Sequence, residues 1–519
     1  MHSARRGSAV IALVLVAIAS ARIISTYRVL SHTIDEPAHM GAGMEWLEAH
    51  RYTFENQHPP LARVAGALGL ELGGIHWSGG RTLWEEGFRL LGRGEQYSRA
   101  RFYGRLGMLP FFWLASLVVY LWTLRAAGPL AATFATLLFT SLPPVLAHAG
   151  LVTTDMALTA TTASTVFVSL LWREKGGWRW NAVFGLCLGL AVLSKFSSLV
   201  FLPVAWLAMW MAAVQWTWTG IRHSIQESRR LANPALIVLA VACLVVWAGY
   251  RFTFHQVSYL HVPLPAPAFF TGVKAVWDHN SKGHEAYLLG RLSMTGFWYY
   301  YPVVLLLKTP IAMLILVVAA VTSMSGSGGS LGLRLPLAMA FGILFVSLVS
   351  HINIGVRHIL PVYVGFSVVC GIVCARVWTL PQPRWFGQVA VCLLLTWFLA
   401  SGAMQHPEYI SYMNEIAGDH PEDYLVDSDL DWLQDFDLLA TRLKRDHVQQ
   451  IWSNCDVCGG VGNLPVVRPI PDGPSPSPGW TAVSITMWKL RPRYAWIAKI
   501  RPTERIGRSL LLYYVPPKY

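Results

Sequence analysis

The chain has 519 residues, of which 54% are hydrophobic and only 13% charged, against about 25% charged in an ordinary soluble domain. That balance excludes a soluble globular protein and places the chain in a lipid bilayer. The formal charge of +13 does not point to nucleic acid, because the basic residues are scattered between apolar runs, with no basic stripe interleaved with aromatics. Basic loops beside anionic headgroups account for it.

Apolar windows near the ~20 residues that a bilayer requires recur about eleven times, at roughly 9–26, 107–124, 129–149, 156–172, 182–194, 198–215, 235–252, 298–322, 336–350, 359–375 and 388–404. The fold class this predicts is an all-α polytopic membrane protein, with the spans in residues 1–404 and a polar tail in 405–519. In the first window Arg5 and Arg6 precede an apolar core, and Ala19-Ser20-Ala21 has the look of a signal-peptidase site. The apolar run resumes at Ile23-Ile24, so an uncleaved first helix is expected.

The polar stretch 27–106 follows. It opens on Asp35-Glu36-Pro37-Ala38-His39 and continues to His58-Pro59-Pro60-Leu61, with Arg63 one turn on. Adjacent carboxylates just outside a span are costly to hold near lipid and usually serve chemistry. Asp before Glu-Pro is also a good helix start, and the two roles are compatible. Asp155, in Thr153-Thr154-Asp155-Met156, opens the fourth span, where it either caps the helix or faces a polar cavity. Lys195 lies between the fifth and sixth spans, and Arg357-His358 between the ninth and tenth. Fixed cations at that depth suit a phosphate, which arginine grips with two hydrogen bonds; a side chain snorkelling to the interface is the alternative. Lys308-Thr309-Pro310, about two turns after Trp298-Tyr299-Tyr300-Tyr301, is either an inward-facing group or a kink.

Arg5-Arg6, Arg125, Arg173-Lys175-Arg179, Arg222-Arg229-Arg230, Arg334 and Arg376-Arg384 fall on one side, which the positive-inside rule makes cytoplasmic. Residues 27–106, 253–297 and the tail are then extracytoplasmic. In the tail, His406–Glu415 and Asp431–Arg445 are expected as helices, and Tyr494–Ala498 and Leu510–Val515 as strands, giving a small α/β unit. Asp427-Ser428-Asp429-Leu430-Asp431-Trp432 alternates three carboxylates, but it lacks the glycine and closing glutamate of a calcium loop, so a structural role is favoured. Of seven cysteines, five lie in apolar runs, where they act as small hydrophobes. Cys455 and Cys458 are either a local disulfide or idle thiols. One CxxC cannot complete a zinc site.

Taken in order, these motifs resemble the protein O-mannosyltransferase superfamily, membrane glycosyltransferases of the GT-C fold that use polyprenyl-phosphate sugars. The likeness is carried by Asp35–His39, His58–Leu61, Thr154-Asp155-Met156, the Trp298–Pro310 span, Asn353-Ile354-Gly355-Val356-Arg357-His358-Ile359-Leu360-Pro361 and Val426–Trp432. It is nearest to the bacterial phospholipid-carrier-dependent glycosyltransferases. The resemblance implies a catalytic base in the first outer loop and a supporting acid in the second, which by position are Asp35 and Asp155. It departs from the eukaryotic members, whose later loop carries a large carbohydrate-binding-like domain; here that loop is only 253–297.

The activity expected is transfer of a sugar from a polyprenyl-phosphate donor to a hydroxyl of a protein, lipid or glycan acceptor, with inversion, at a bacterial plasma membrane. Asp35 takes the acceptor proton, with Glu36 or His58 as the groups to orient it. Lys195 and Arg357, with His358, steady the phosphate as it leaves. No cofactor is named, and a divalent metal is left open, since relatives in this fold differ on metal use. The rival reading is a transporter or flippase for a lipid-linked or charged solute, which internal repeats would favour. None is found.

Overall fold

The computed structural model describes residues 2–324, 330–381, 383–455, 464–471, 477–491, 497 and 499–516. The first span is α1 (His2–Thr26), and the polar stretch after it folds as four short helices, α2 (Glu36–Leu47), α3 (Pro60–Leu72), α4 (Leu83–Leu91) and α5 (Gly94–Leu106). Prolines near the start of α2 and α3 set these beginnings, because their missing N–H falls where no helical bond is needed. Gly43 lets the two helices touch: a Cβ there would lie 2.1 Å from the Arg63 carbonyl.

The helices that follow are α6 (Leu109–Ser141), α7 (Pro143–Ala149), α8 (Asp155–Lys175), α9 (Trp178–Ser194), α10 (Ser198–Ala213), the exposed, arginine-bearing α11 (Trp218–Arg230) and α12 (Ala232–Gly249). The second polar stretch holds the hairpin β1 (Phe254–Val257) and β2 (Val262–Pro265), α13 (Pro267–Lys282), and the hairpin β3 (Ala286–Leu288) and β4 (Arg291–Ser293). Then come α14 (Tyr300–Lys308), α15 (Ile311–Thr322), α16 (Leu331–Ser347), α17 (Val362–Trp378) and α18 (Arg384–Met404). Every apolar window is helical. Two of them break: α7 bends 63° from the helix before it, and α15 bends 118° from α14, at Pro143 and Pro310, where proline ends the hydrogen-bond ladder. By length and apolarity alone, four of the described helices can cross a bilayer, or six if each bent pair is one span. The apolar helices α9, α10, α16 and α17 are shorter.

The tail carries a five-stranded sheet ordered β6-β5-β7-β9-β8, from β5 (Gln450–Ser453), β6 (Val466–Pro469), β7 (Gly479–Ser484), β8 (Glu504–Ile506) and β9 (Leu510–Val515). β5 runs parallel to β6 and β7, while β9 is antiparallel to β7 and β8. Two helices accompany it, α19 (Phe436–Arg445) and α20 (Ile485–Leu490). The strand expected at 510–515 is β9; that at 494–498 lies outside the described residues except for Ile497. Residues 406–415 are turns rather than a helix. Their backbone is spent on the α14–α15 break instead: the Ile410 carbonyl accepts from Lys308 (2.6 Å), and the Asn414 amide donates to the Leu307 carbonyl (2.8 Å). α19 begins at Phe436, later than expected, because Asp431 is tied to Ser484 and Thr486.

The tail and the first polar stretch are stitched together. The Ser31 hydroxyl donates to the Leu433 carbonyl (2.6 Å), its amide bonds the Gln434 carbonyl (2.9 Å), and Arg101 pairs with Asp437 at 2.6 Å.

Candidate active site

Asp35 is the last residue before α2 and Asp155 is the first of α8, yet neither carboxylate caps its helix. Both turn to cations. Arg357 donates from Nη1 to Asp35 Oδ2 at 2.8 Å and stands 3.7 Å from Asp155 Oδ2. Lys195 Nζ donates to Asp155 Oδ1 at 2.7 Å. The four side chains thus form one row, Asp35–Arg357–Asp155–Lys195, drawn from the first polar stretch, the turn before α17, the start of α8 and the turn after α9. Asp155 is fully buried, while the Asp35 side chain remains 32% exposed. The row is closed at one end and open at the other.

His358 sits beside this row, within the electrostatic reach of Lys195, Arg357, Asp155 and His58; burial first, then the cations Lys195 and Arg357, push its imidazole well below the usual histidine range. His58 belongs to a second cluster. Its Nδ1 lies 3.3 Å from Glu55 Oε2 and 3.2 Å from Arg63 Nη2, and its ring meets His39 edge to face at 5.1 Å. Arg63, itself buried, pairs with Glu55 and donates to Tyr52 Oη (2.9 Å) and His39 Nδ1 (3.1 Å). Burial, with Glu55 opposing and Arg63 assisting, keeps the His58 imidazole below its ordinary range.

Glu36 faces elsewhere. It is fully buried, and its oxygens accept from Arg105 Nε (2.9 Å) and Nη2 (2.8 Å), the Thr33 amide (2.8 Å) and the Val152 amide (3.1 Å). The last of these fastens the Asp35 turn to the segment leading into Asp155. Glu36 has no oxygen to offer a substrate.

Three groups that sequence reasoning did not assign also reach the row. The Trp432 ring lies over the Arg357 guanidinium at 4.1 Å, a cation–π contact. His148, on α7, stands 6.2 Å from the same ring and faces Asp155 and Arg357 electrostatically. Asp427 is close enough to Arg357 and Asp35 to feel both charges, and burial pushes its carboxyl up to about 6. The turn that carries Arg357 is gripped by the same tail segment: the Val356 amide donates to Asp429 Oδ1 (2.9 Å), and the Ser428 hydroxyl donates to the Ile354 carbonyl. Gly355, at φ 111°, admits this contact; a Cβ there would meet Ser428 Oγ at 2.5 Å. Lys308 completes the clamp, donating to the Asp429 carbonyl at 2.6 Å. So the alternating carboxylates do structural work at Asp429 and Asp431, and Lys308 is both inward-facing and beside a break.

Buried polar atoms normally have a partner. Among the described residues four here have no hydrogen-bond partner: Asp155 Oδ2, which has only the 3.7 Å ion pair with Arg357, Arg357 Nε, His148 Nδ1 and Thr153 Oγ1. Among the described residues no group of three or more His, Cys, Asp or Glu side chains is placed to hold a metal ion. Within the row itself each carboxylate is already held by a cationic side chain, a donor set that does not fit a divalent ion.

The sequence model of the family described as dolichyl-phosphate-mannose-protein mannosyltransferase matches residues 13–260. No curated protein matches the chain. Among solved structures, ArnT from Cupriavidus metallidurans bound to undecaprenyl phosphate is similar at 13% identity and TM-score 0.53, over 96% of this chain and 97% of that one. The Archaeoglobus fulgidus oligosaccharyltransferase in complex with Zn and sulfate is similar at 12% identity and TM-score 0.50, over 91% of this chain and 68% of that one. The chain is a multi-pass membrane protein with the GT-C fold of these structures, and over residues 13–260 it is similar to the dolichyl-phosphate-mannose-protein mannosyltransferases.

Proposed function

We propose that the protein transfers a sugar from a polyprenyl-phosphate donor to an acceptor hydroxyl on the extracytoplasmic face of a bacterial plasma membrane, with inversion. The observation that carries this reading is the placement of Arg357 between Asp35 and Asp155, with Lys195 on the far side of Asp155. A base and a phosphate grip lie within one side chain of each other.

In the step proposed, the acceptor oxygen attacks the anomeric carbon and the bond from that carbon to the phosphate oxygen breaks. The acceptor proton passes to Asp35, and the electron pair leaves on the polyprenyl phosphate. That phosphate is already a stable anion, so no general acid is required. Lys195 and Arg357 stabilise the charge that grows on it, in a setting where burial strengthens the attraction. Arriving phosphate competes with Asp35 for Arg357, which frees the carboxylate at the moment a base is needed. Asp155 holds the two cations apart, and Glu36 positions the turn rather than taking part. The undecaprenyl phosphate bound to ArnT supports a lipid phosphate as the leaving group. The disulfide at Cys455 supports an oxidising compartment for the tail; Cys458 lies outside the described residues.

The test uses the purified full-length enzyme and a polyprenyl-phosphate sugar. Asp35→Asn should fold and bind donor yet lose about 100-fold or more in turnover, the scale of a general base. Arg357→Ala should raise the donor KM, and Arg357→Lys should recover only part, since lysine lacks the planar fork. An Asp35→Asn enzyme with wild-type turnover would sink the mechanism.

A further inference from the structure

Behind the His58 cluster, on the solvent side of the first outer stretch, lies a cleft of about 580 Å³ lined by Arg51, Thr53, Phe54, Arg81, Thr82 and Trp84. Its volume falls in the ~300–1,000 Å³ range of small-molecule sites. The mechanism above uses none of these residues.

The walls are built rather than incidental. Phe54 stacks on Trp77 at 5.6 Å, and the Arg51 guanidinium lies over both rings at 5.8 and 6.0 Å. Glu45, fully buried, pairs with Arg51 at 3.3 Å. It also accepts from the Thr53 hydroxyl (2.6 Å) and from the Thr53 and Phe54 amides (2.9 and 3.0 Å). On the facing wall Trp84 stacks on Phe88 at 6.1 Å and stays 44% exposed. The nearby carboxylates are spent: Glu86 on Ser78 and Gly80, Glu85 on Arg89 and the Arg81 amide. The Arg81 guanidinium has no ion pair or hydrogen bond among the described residues, so one cation remains uncommitted beside the exposed Trp84 ring.

Flat aromatic faces suit the apolar face of a sugar ring, and an uncommitted guanidinium suits a phosphate or carboxylate on that ring. We infer that this cleft binds an anionic saccharide, a sugar bearing phosphate or carboxylate, as the recognition element of the acceptor. The inference rests on the glycosyltransferase reading above. Its link to the chemistry is short, because Phe54 is followed by Glu55, which pairs with Arg63 and meets His58. A ligand seated on Phe54 is therefore one residue from the cluster that borders the catalytic row. The donor lipid, by contrast, is held at Arg357 and Lys195.

The experiment is calorimetric titration of the full-length protein in nanodiscs with glucose 6-phosphate, methyl glucoside and inorganic phosphate, for wild type, Arg81→Gln and Trp84→Ala. Both positions are exposed, and thermal unfolding checks that the variants fold. The sugar phosphate should bind at least about tenfold more tightly than either fragment, and each substitution should cost about tenfold, the size of one good charged or stacking contact. Binding of polyprenyl phosphate, measured alongside, should be unchanged in both variants and lowered in Arg357→Ala. No saturable binding of the sugar phosphate, or equal binding in Arg81→Gln, overturns the cleft. Displacement of the sugar phosphate by sugar-free phosphatidylglycerol vesicles also overturns it, in favour of a membrane headgroup. If Arg357→Ala keeps full affinity for polyprenyl phosphate while sugar-phosphate binding still depends on Arg81, the cleft stands and the donor reading fails.

Discussion

Arg357 is contested from several sides. It is bonded to Asp35, faces Asp155, lies under Trp432 and is felt by Asp427. Asp427 supplies the pH dependence. Burial raises its carboxyl to about 6, with Arg357 pulling down and Asp35 pushing up. Below that pH the group is neutral, and one fewer anion competes with donor phosphate for Arg357. Donor KM should therefore fall as pH drops through about 6, and Asp427→Asn should keep the low value across about pH 5 to 8. The same shift has a stability sign. The folded carboxyl holds a proton that an unfolded one, near 3.9, releases, so folding is penalised as pH rises from about 4 to 6 and stays so above. Asp427→Asn should thus raise Tm at pH 7 and leave it unchanged near pH 4. A KM step that survives the substitution removes Asp427 from this role.

At the scale of elements, the site is held by joints between turns. The buried Glu36–Arg105 pair at 2.8 Å fixes the start of α2 against α5 and the approach to α8. Removing one partner of a buried pair typically costs about 3–5 kcal/mol, because the other charge is left uncompensated. Glu36→Ala should lower the melting temperature well below that of Asp35→Asn, measured side by side in detergent. Equal melting temperatures would show that the joint adds nothing. Asp35 and Glu36 also show where sequence reasoning stops. Both were visible as costly charges beside a span, and adjacency suggested a shared role. In a helix, successive side chains point about 100° apart, so one faces the site and its neighbour faces Arg105. The direction of a side chain in a first turn is not written in its spacing.

At the scale of the whole molecule, the apolar windows were legible because length and hydropathy alone mark a span. The breaks at Pro143 and Pro310 were less so, since a proline does not say how far its helix will bend. Asp155, Lys195 and Arg357 stood out because a fixed charge near lipid must be paid for by a partner. Asp427 and Trp432 stood out only as parts of an alternating acidic segment with a structural role, and His148 did not stand out at all. An aromatic or an acid in a polar tail, or a histidine at a helix end, is ordinary there. What gives each a role is a contact closed by tertiary folding across a long stretch of chain. The topology makes a separate prediction. Cysteine introduced at exposed Thr441 of α19 should react with a membrane-impermeant maleimide from outside intact cells, whereas cysteine at exposed Arg222 of α11 should not. The opposite pattern would reverse the proposed sidedness.

The ring over Arg357 also sets an order of assembly. Trp432 and the Asp429 clamp follow α18 in the chain, so the ribosome releases them only after every helix through Met404. Until then the arginine of the row has neither its stacking partner nor its grip. A nascent chain, or one cut short after its last span, carries Asp35, Asp155 and Lys195 with an unsupported Arg357. On the mechanism proposed above, the row is complete only once the segment through Trp432 has been made, and a chain cut short after α18 should be unable to transfer the sugar.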